Sequence, residues 1–180
     1  LAGLPHLLRP VVVDAQAAAT TLVELTAVME QRDRQRVSTP RIVVVIDELA
    51  DLVATAGKPA LEALTRLAQR GREAGLHVVA CTQKPSAALL GAVTKANFPV
   101  RLVGRVTSIE DARVATGIGG SGAERLCGRG DFLAVSGAGV IRFQAAFAAP
   151  EEIARLVELM LGTEGHKVIW EQLQPALEPV

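Results

Sequence analysis

The sequence predicts an α/β domain, a mainly parallel sheet flanked by helices and followed by a C-terminal β-hairpin. Three observations predict it. Residues 41–52 read RIVVVIDELADL, an Ile/Val run without alternation, as in a parallel strand buried on both faces. Residues 77–82 form a second such run, and the intervening stretches carry apolar residues at helical spacing. Near the C-terminus, Ile141, Phe143, Ala145 and Phe147 alternate after Ser136-Gly137-Ala138-Gly139, with residues 132–135 as the partner strand.

Each element follows in turn. Residues 4–13, with Pro5 and Pro10 and a short Val run, read as an extended approach to the sheet. Asp14 caps a helix running to about Arg34, with Ala18, Leu22, Leu25 and Met29 on one face. Ser38-Thr39-Pro40 breaks into the first strand. Lys58-Pro59 opens a helix over residues 60–73, striped by Leu61, Leu64, Leu67 and Ala68 and bracketed by Gly71 and Gly75. Residues 100–106 read as a further strand, and Ser108 caps a helix with Asp111 in the capping-box position. Pro150 introduces a helix with Ile153, Leu156, Val157, Met160 and Leu161 at amphipathic spacing. We divide the chain into a domain over residues 1–161 and a tail over 162–180, with a short helix expected around Trp170.

Composition bounds the function. A chain of 180 residues suits one domain. No apolar run approaches the roughly 18 residues a bilayer span needs, and the N-terminus does not resemble a signal peptide. Two cysteines, Cys81 in a predicted buried strand and Cys127 near a loop, form no metal spacing and fit small core positions in a reducing cytoplasm. The 19 basic and 19 acidic residues cancel, which argues against a broad basic coat but allows a few phosphate contacts on loops.

The chemistry concentrates after the first strand. Asp47 and Glu48 lie where the strand emerges, at the carboxyl edge where open α/β sheets bind ligands. There Asp47 can hold Mg²⁺ through its water shell and Glu48 can polarise an attacking water, the Walker B arrangement of a nucleotide hydrolase. The competing reading is an acidic start to the next helix. No phosphate-cradling G-x-x-x-x-G-K-[ST] occurs: Gly57-Lys58 is followed by Pro59, with Leu52 at the leading glycine position. The chain also opens on Leu1, and we expect a piece of a longer protein whose phosphate-binding half lies upstream.

Thr82-Gln83-Lys84-Pro85-Ser86 follows the second strand as the acidic pair follows the first. If the strands are neighbours, Gln83 can reach a γ-phosphate or its attacking water; otherwise it is a solvated turn residue, and spacing leaves both open. Arg66, Arg70 and Arg72 read as a solvated helix face or, for one of them, an arginine finger for a neighbouring subunit's nucleotide. Gly117-Ile118-Gly119-Gly120-Ser121-Gly122 matches a dinucleotide fingerprint but follows a helix, so we discount it. The Arg129-Gly130-Asp131 adhesion tripeptide is of little use to a chain in which no secretion signal is read, and His6, His77 and His166 are scattered.

Several motifs in order carry a family resemblance. Pro5-His6-Leu7-Leu8, Ile46-Asp47-Glu48-Leu49-Ala50-Asp51-Leu52, Leu67-Ala68-Gln69-Arg70, the stretch 72–77, and Thr82-Gln83-Lys84-Pro85-Ser86 come first. Lys95-Ala96-Asn97-Phe98-Pro99, Gly122-Ala123-Glu124-Arg125-Leu126 and Gly128-Arg129-Gly130-Asp131 complete the set. Over residues 4–160 the chain resembles the later part of the motor domain of FtsK/SpoIIIE DNA translocases. The resemblance implies a partial RecA-like P-loop NTPase core and a hexameric ring that pumps double-stranded DNA with ATP and Mg²⁺. The ring would work in the cytoplasm, and any membrane tether would lie in other segments.

Carried over by position, Asp47 and Glu48 are the Walker B pair, Gln83 is the γ-phosphate sensor and Arg72 is the finger acting on the adjacent subunit. Lys84, Lys95 and Arg113 contact DNA phosphates without reading bases. The pore segment departs from the family's Ser-Lys-Ile-Asp-Ser-Arg: it reads Ser108-Ile109-Glu110-Asp111-Ala112-Arg113, with Ile109 at a basic position and an added negative charge at Glu110. That change keeps open a divergent member handling mobile-element DNA, or a motor of a related protein-secretion system. The reading from a different class is a nonhydrolytic DNA-docking or assembly module. Retention of Asp47, Glu48, Gln83 and Arg72 together favours the translocase.

Overall fold

The computed structural model describes residues 3–83 and 97–162. In chain order the elements are α1 (Ala15–Gln35), β1 (Ile42–Ile46), α2 (Leu49–Arg70), β2 (Leu76–Ala80) and β3 (Arg101–Val103). They continue with α3 (Ile109–Thr116), a single 3-10 turn (Ala123–Arg125), β4 (Asp131–Ser136), β5 (Gly139–Gln144) and α4 (Pro150–Gly162).

Asp14 starts α1, its extended backbone leaving the side chain to accept from the Ala17 N–H at 2.7 Å. The helix ends at Arg36, which adopts the left-handed conformation (φ 56°) while the Val37 N–H reaches back to the Arg32 carbonyl at 2.9 Å. Leu22, Leu25, Val28 and Met29 of α1 meet Leu52, Ala60, Leu64 and Leu67 of α2 over Ile42 and Ile46 of β1 in one buried cluster. The helical spacing of these residues is what lets α1 and α2 share one apolar seam.

α2 begins eleven residues earlier than Lys58-Pro59 suggests, at Leu49. Gly57 interrupts it (φ 67°, ψ −150°) and the helix then resumes. Pro59 therefore falls in the first turn after the break, where a missing N–H leaves no hydrogen bond unmade.

β1 and β2 pair in parallel, Ile42 opposite Leu76 through Ile46 opposite Ala80. The expectation of burial on both faces is corrected: Val43, Val45 and Val79 are 61%, 53% and 48% exposed. Among the described residues α1 and α2 cover one face of this pair, and the alternate side chains point away from them. Cys81 lies just beyond β2 and is exposed, as is Cys127, so neither is the core residue expected.

The second sheet is antiparallel, β3–β4–β5, and shorter in its first strand than residues 100–106 imply. Leu133 and Val135 of β4 face α3 and the 3-10 turn in a second buried cluster with Val103, Ala112, Ala123 and Leu126. A two-residue turn joins Ser136 to Gly139, and Phe132 stacks on Phe143 at 5.9 Å between ring centroids.

Asp131 is buried. It accepts two N–H groups of Arg142 at 2.8 and 2.7 Å and the Cys127 N–H at 2.7 Å. The Arg142 hydrogen bonds, then the Cys127 N–H, hold its carboxyl at about 2. The Arg129-Gly130-Asp131 tripeptide is thus a structural corner whose carboxylate faces inward. α4 forms where expected, but Ile153, Leu156, Met160 and Leu161 of its apolar stripe are exposed. Amphipathic spacing makes the helix without supplying a cover for it. Among the described residues no helix is long and apolar enough to cross a membrane.

Candidate functional site

The parallel pairing of β1 and β2 carries their two exits to the same edge of the sheet. The Cys81 N–H donates to the Ile46 carbonyl and the Leu49 N–H to the Cys81 carbonyl, both at 2.8 Å, which stitches the chain together just beyond the last strand residues. Glu48 sits in that seam. One oxygen accepts from the Ala50 N–H at 3.1 Å and the Thr82 hydroxyl at 2.6 Å; the other accepts from the Gln83 N–H at 2.9 Å.

The pair does start the next helix, and Glu48 does more than cap it. Glu48 caps α2, its backbone extended (φ −132°, ψ 97°), and the same carboxylate bridges to the end of β2. Asp47, one residue earlier, points to solvent and has no protein partner among the described residues. A solvated carboxylate beside an anchored one is the donor set a hydrated Mg²⁺ and a positioned water require.

The structure brings Gln83 to Glu48 through its backbone N–H. Thr82, which the sequence offers only as part of a motif, donates to Glu48 at 2.6 Å, closer than the Ala50 and Gln83 N–H groups. The available signal was positional: Ile46 faces Ala80, so two residues further on Glu48 must face Thr82. Lys84 and Lys95 lie outside the described residues.

The three arginines separate cleanly. Arg66 pairs with Glu30, and Arg70 with Asp33 at 2.8 Å, so both serve the α1–α2 seam. Arg72 is exposed, with no side-chain partner among the described residues. It lies on the turn between α2 and β2, at the opposite end of the strands from Asp47 and Glu48. A five-residue strand spans roughly 16 Å, farther than one arginine side chain can reach.

That turn is tightly held. Arg32, only 5% exposed, donates to the Pro40 carbonyl at 2.8 Å and the Ala74 carbonyl at 3.2 Å. Burial lowers the pKa of its guanidinium. Arg113 lies elsewhere, in the last turn of α3, in an ion pair with Glu110 at 2.6 Å. The hydrogen bond from Arg113 depresses the Glu110 pKa, and the same bond raises that of Arg113.

Residues 28–87 match the FtsK/SpoIIIE family. The DNA translocase FtsK of Bacillus cereus is 36% identical over 190 residues, which takes in 90% of this chain and 24% of that protein. The chain belongs to the FtsK/SpoIIIE family. It spans about a quarter of the length of the curated relatives it matches.

Two solved structures share the fold. The conjugation coupling protein TcpA of pCW3, solved with ATPgS, superimposes with a TM-score of 0.72 at 23% identity, over 84% of this chain and 50% of TcpA. The cytoplasmic domain of the type VII secretion ATPase EccC of Thermomonospora curvata gives 0.67 at 19% identity, over 82% of this chain and 20% of that domain. The partial RecA-like α/β fold expected from the sequence is the fold of this FtsK/SpoIIIE chain.

Proposed function

We propose that the chain is part of an ATP-driven double-stranded DNA translocase, the part that carries its Walker B, sensor and finger elements. The observation that carries this reading is the Glu48 carboxylate, fixed between β1 and β2 by Ala50, Thr82 and Gln83 beside a solvent-facing Asp47. Asp47 would hold Mg²⁺ through water, and the ion would neutralise developing phosphate charge when bound. Glu48 orients the attacking water, and the Gln83 amide senses the γ-phosphate. The phosphates themselves would be cradled by residues outside this sequence.

Arg72 acts in trans. Its place at the far end of the strands keeps it from its own chain's acidic pair and favours a closed ring, read here as six copies. Arg113, with Lys84 and Lys95, grips DNA phosphates without base readout. The ring works in the cytoplasm, and any membrane tether belongs to other segments.

The test is ATP hydrolysis by the full-length protein with and without long duplex DNA. DNA should stimulate turnover strongly, and Glu48→Gln should abolish the stimulated rate. Adding an Arg72→Ala protein to a Glu48→Gln protein should restore part of it through mixed interfaces. Hydrolysis indifferent to DNA would overturn the DNA reading and direct the search to a polypeptide cargo.

A further inference from the structure

We propose that Glu110 is an internal competitor for Arg113, so that this chain grips duplex DNA loosely and releases it readily. The inference rests on the reading of Arg113 as a phosphate contact. The pair is a two-pronged one: Arg113 Nη2 donates to Glu110 Oε1 at 2.6 Å and Nε to Oε2 at 3.2 Å. That is the geometry in which a guanidinium also takes a phosphate, so one ligand excludes the other.

The neighbouring carboxylate is committed elsewhere. Asp111 Oδ2 accepts from the hydroxyls of Thr107 and Ser108, each at 2.8 Å, while the Ser108 oxygen accepts the Asp111 N–H at 3.0 Å. Glu110 is therefore the acid aimed at Arg113. The two side chains are 66% and 62% exposed, leaving the pair open to an approaching polyanion. Ile109, at a position where the family resemblance leads one to expect a base, is 68% exposed and supplies no compensating charge.

A DNA phosphate must displace Glu110 or settle beside a carboxylate, and either route weakens the contact. A guanidinium already paired within the protein also releases fewer counterions from DNA when it binds. The salt dependence of binding should be correspondingly shallow.

The experiment measures binding of a fluorescent, mixed-sequence duplex to the full-length protein by anisotropy over a series of KCl concentrations. Glu110→Gln should tighten binding roughly two- to fivefold for each engaged subunit, the range set by an exposed ion pair. It should steepen the log–log salt slope by up to about 0.9 per Arg113 that reaches a phosphate. In an Arg113→Ala background, Glu110→Gln should change neither quantity. If the effect persists there, Glu110 repels DNA directly and the competition is overturned. If Arg113→Ala weakens binding but Glu110→Gln changes nothing, the DNA role of Arg113 stands and the competition alone falls. If Arg113→Ala has no effect, the assigned DNA contact fails and takes this inference with it.

Discussion

Replacing Gly75 by alanine would press one methyl group into the turn that carries Arg72. Gly75 has φ 75°, and a Cβ there would stand 2.0 Å from the Ser38 carbonyl oxygen and 2.8 Å from its carbon. Gly128 offers the matched comparison, with φ 74° and nothing within 4 Å of its added Cβ. The left-handed backbone alone costs an alanine about 1–2 kcal/mol, which is the whole effect expected for Gly128→Ala. At Gly75 the new atom meets main chain, which cannot swing aside as a side chain does. Overpacking of that kind adds about 1–3 kcal/mol, for a sum of about 2–5 kcal/mol at Gly75. Urea denaturation followed by far-UV circular dichroism would compare the two variants with the parent chain. Equal losses at both positions would refute the close approach of the turn to the α1–β1 linker.

Two further outcomes follow from the hydrogen bonds. Thr82→Val removes the hydroxyl that holds Glu48 at 2.6 Å, and should lower the ATP turnover of the full-length protein roughly ten- to a hundredfold with little change in KM. Thr82→Ser should restore it, and a Val variant as active as the parent would remove Thr82 from the machinery. The Asp131 carboxyl, at about 2 when folded against 3.8 ordinarily, contributes stability that is fully present above 3.8 and lost as pH falls through about 2. Acid titrations of the parent and Asp131→Asn should therefore diverge above that window and converge below it. A constant offset through the window would show that the Arg142 pair does not set this pH dependence.

Much of the architecture was legible because it rests on local chemistry. Asp14 and Ser108 are capping residues followed by apolar residues at helical spacing, and both cap their helices as read. The hairpin was legible from alternation and a Gly-rich turn. The part of α2 before Gly57 was not, since Gly57-Lys58-Pro59 punctuates the chain and placed the helix start after it. The exposed Val43, Val45 and Val79 were not legible either, because an unbroken Ile/Val run records suitability for burial and carries no record of what packs on each face. The same limit applies to the apolar stripe of α4.

At the candidate site the sequence by itself determined which residue types are present and in what order: an acidic pair after one apolar strand, Thr-Gln after another, and arginines around the intervening helix. Family resemblance assigned them roles. Only the tertiary structure decided their relations, since hydrogen bonds between strands join residues more than thirty positions apart. The parallel register set Thr82 against Glu48 and made one carboxylate both helix cap and bridge. It put Arg72 at the opposite end of the strands from Asp47, while the packing of α1 on α2 gave Arg66 and Arg70 to α1. The pairing of Arg113 with Glu110 is local by contrast: helical spacing allows it, and the rotamers of the two side chains complete it.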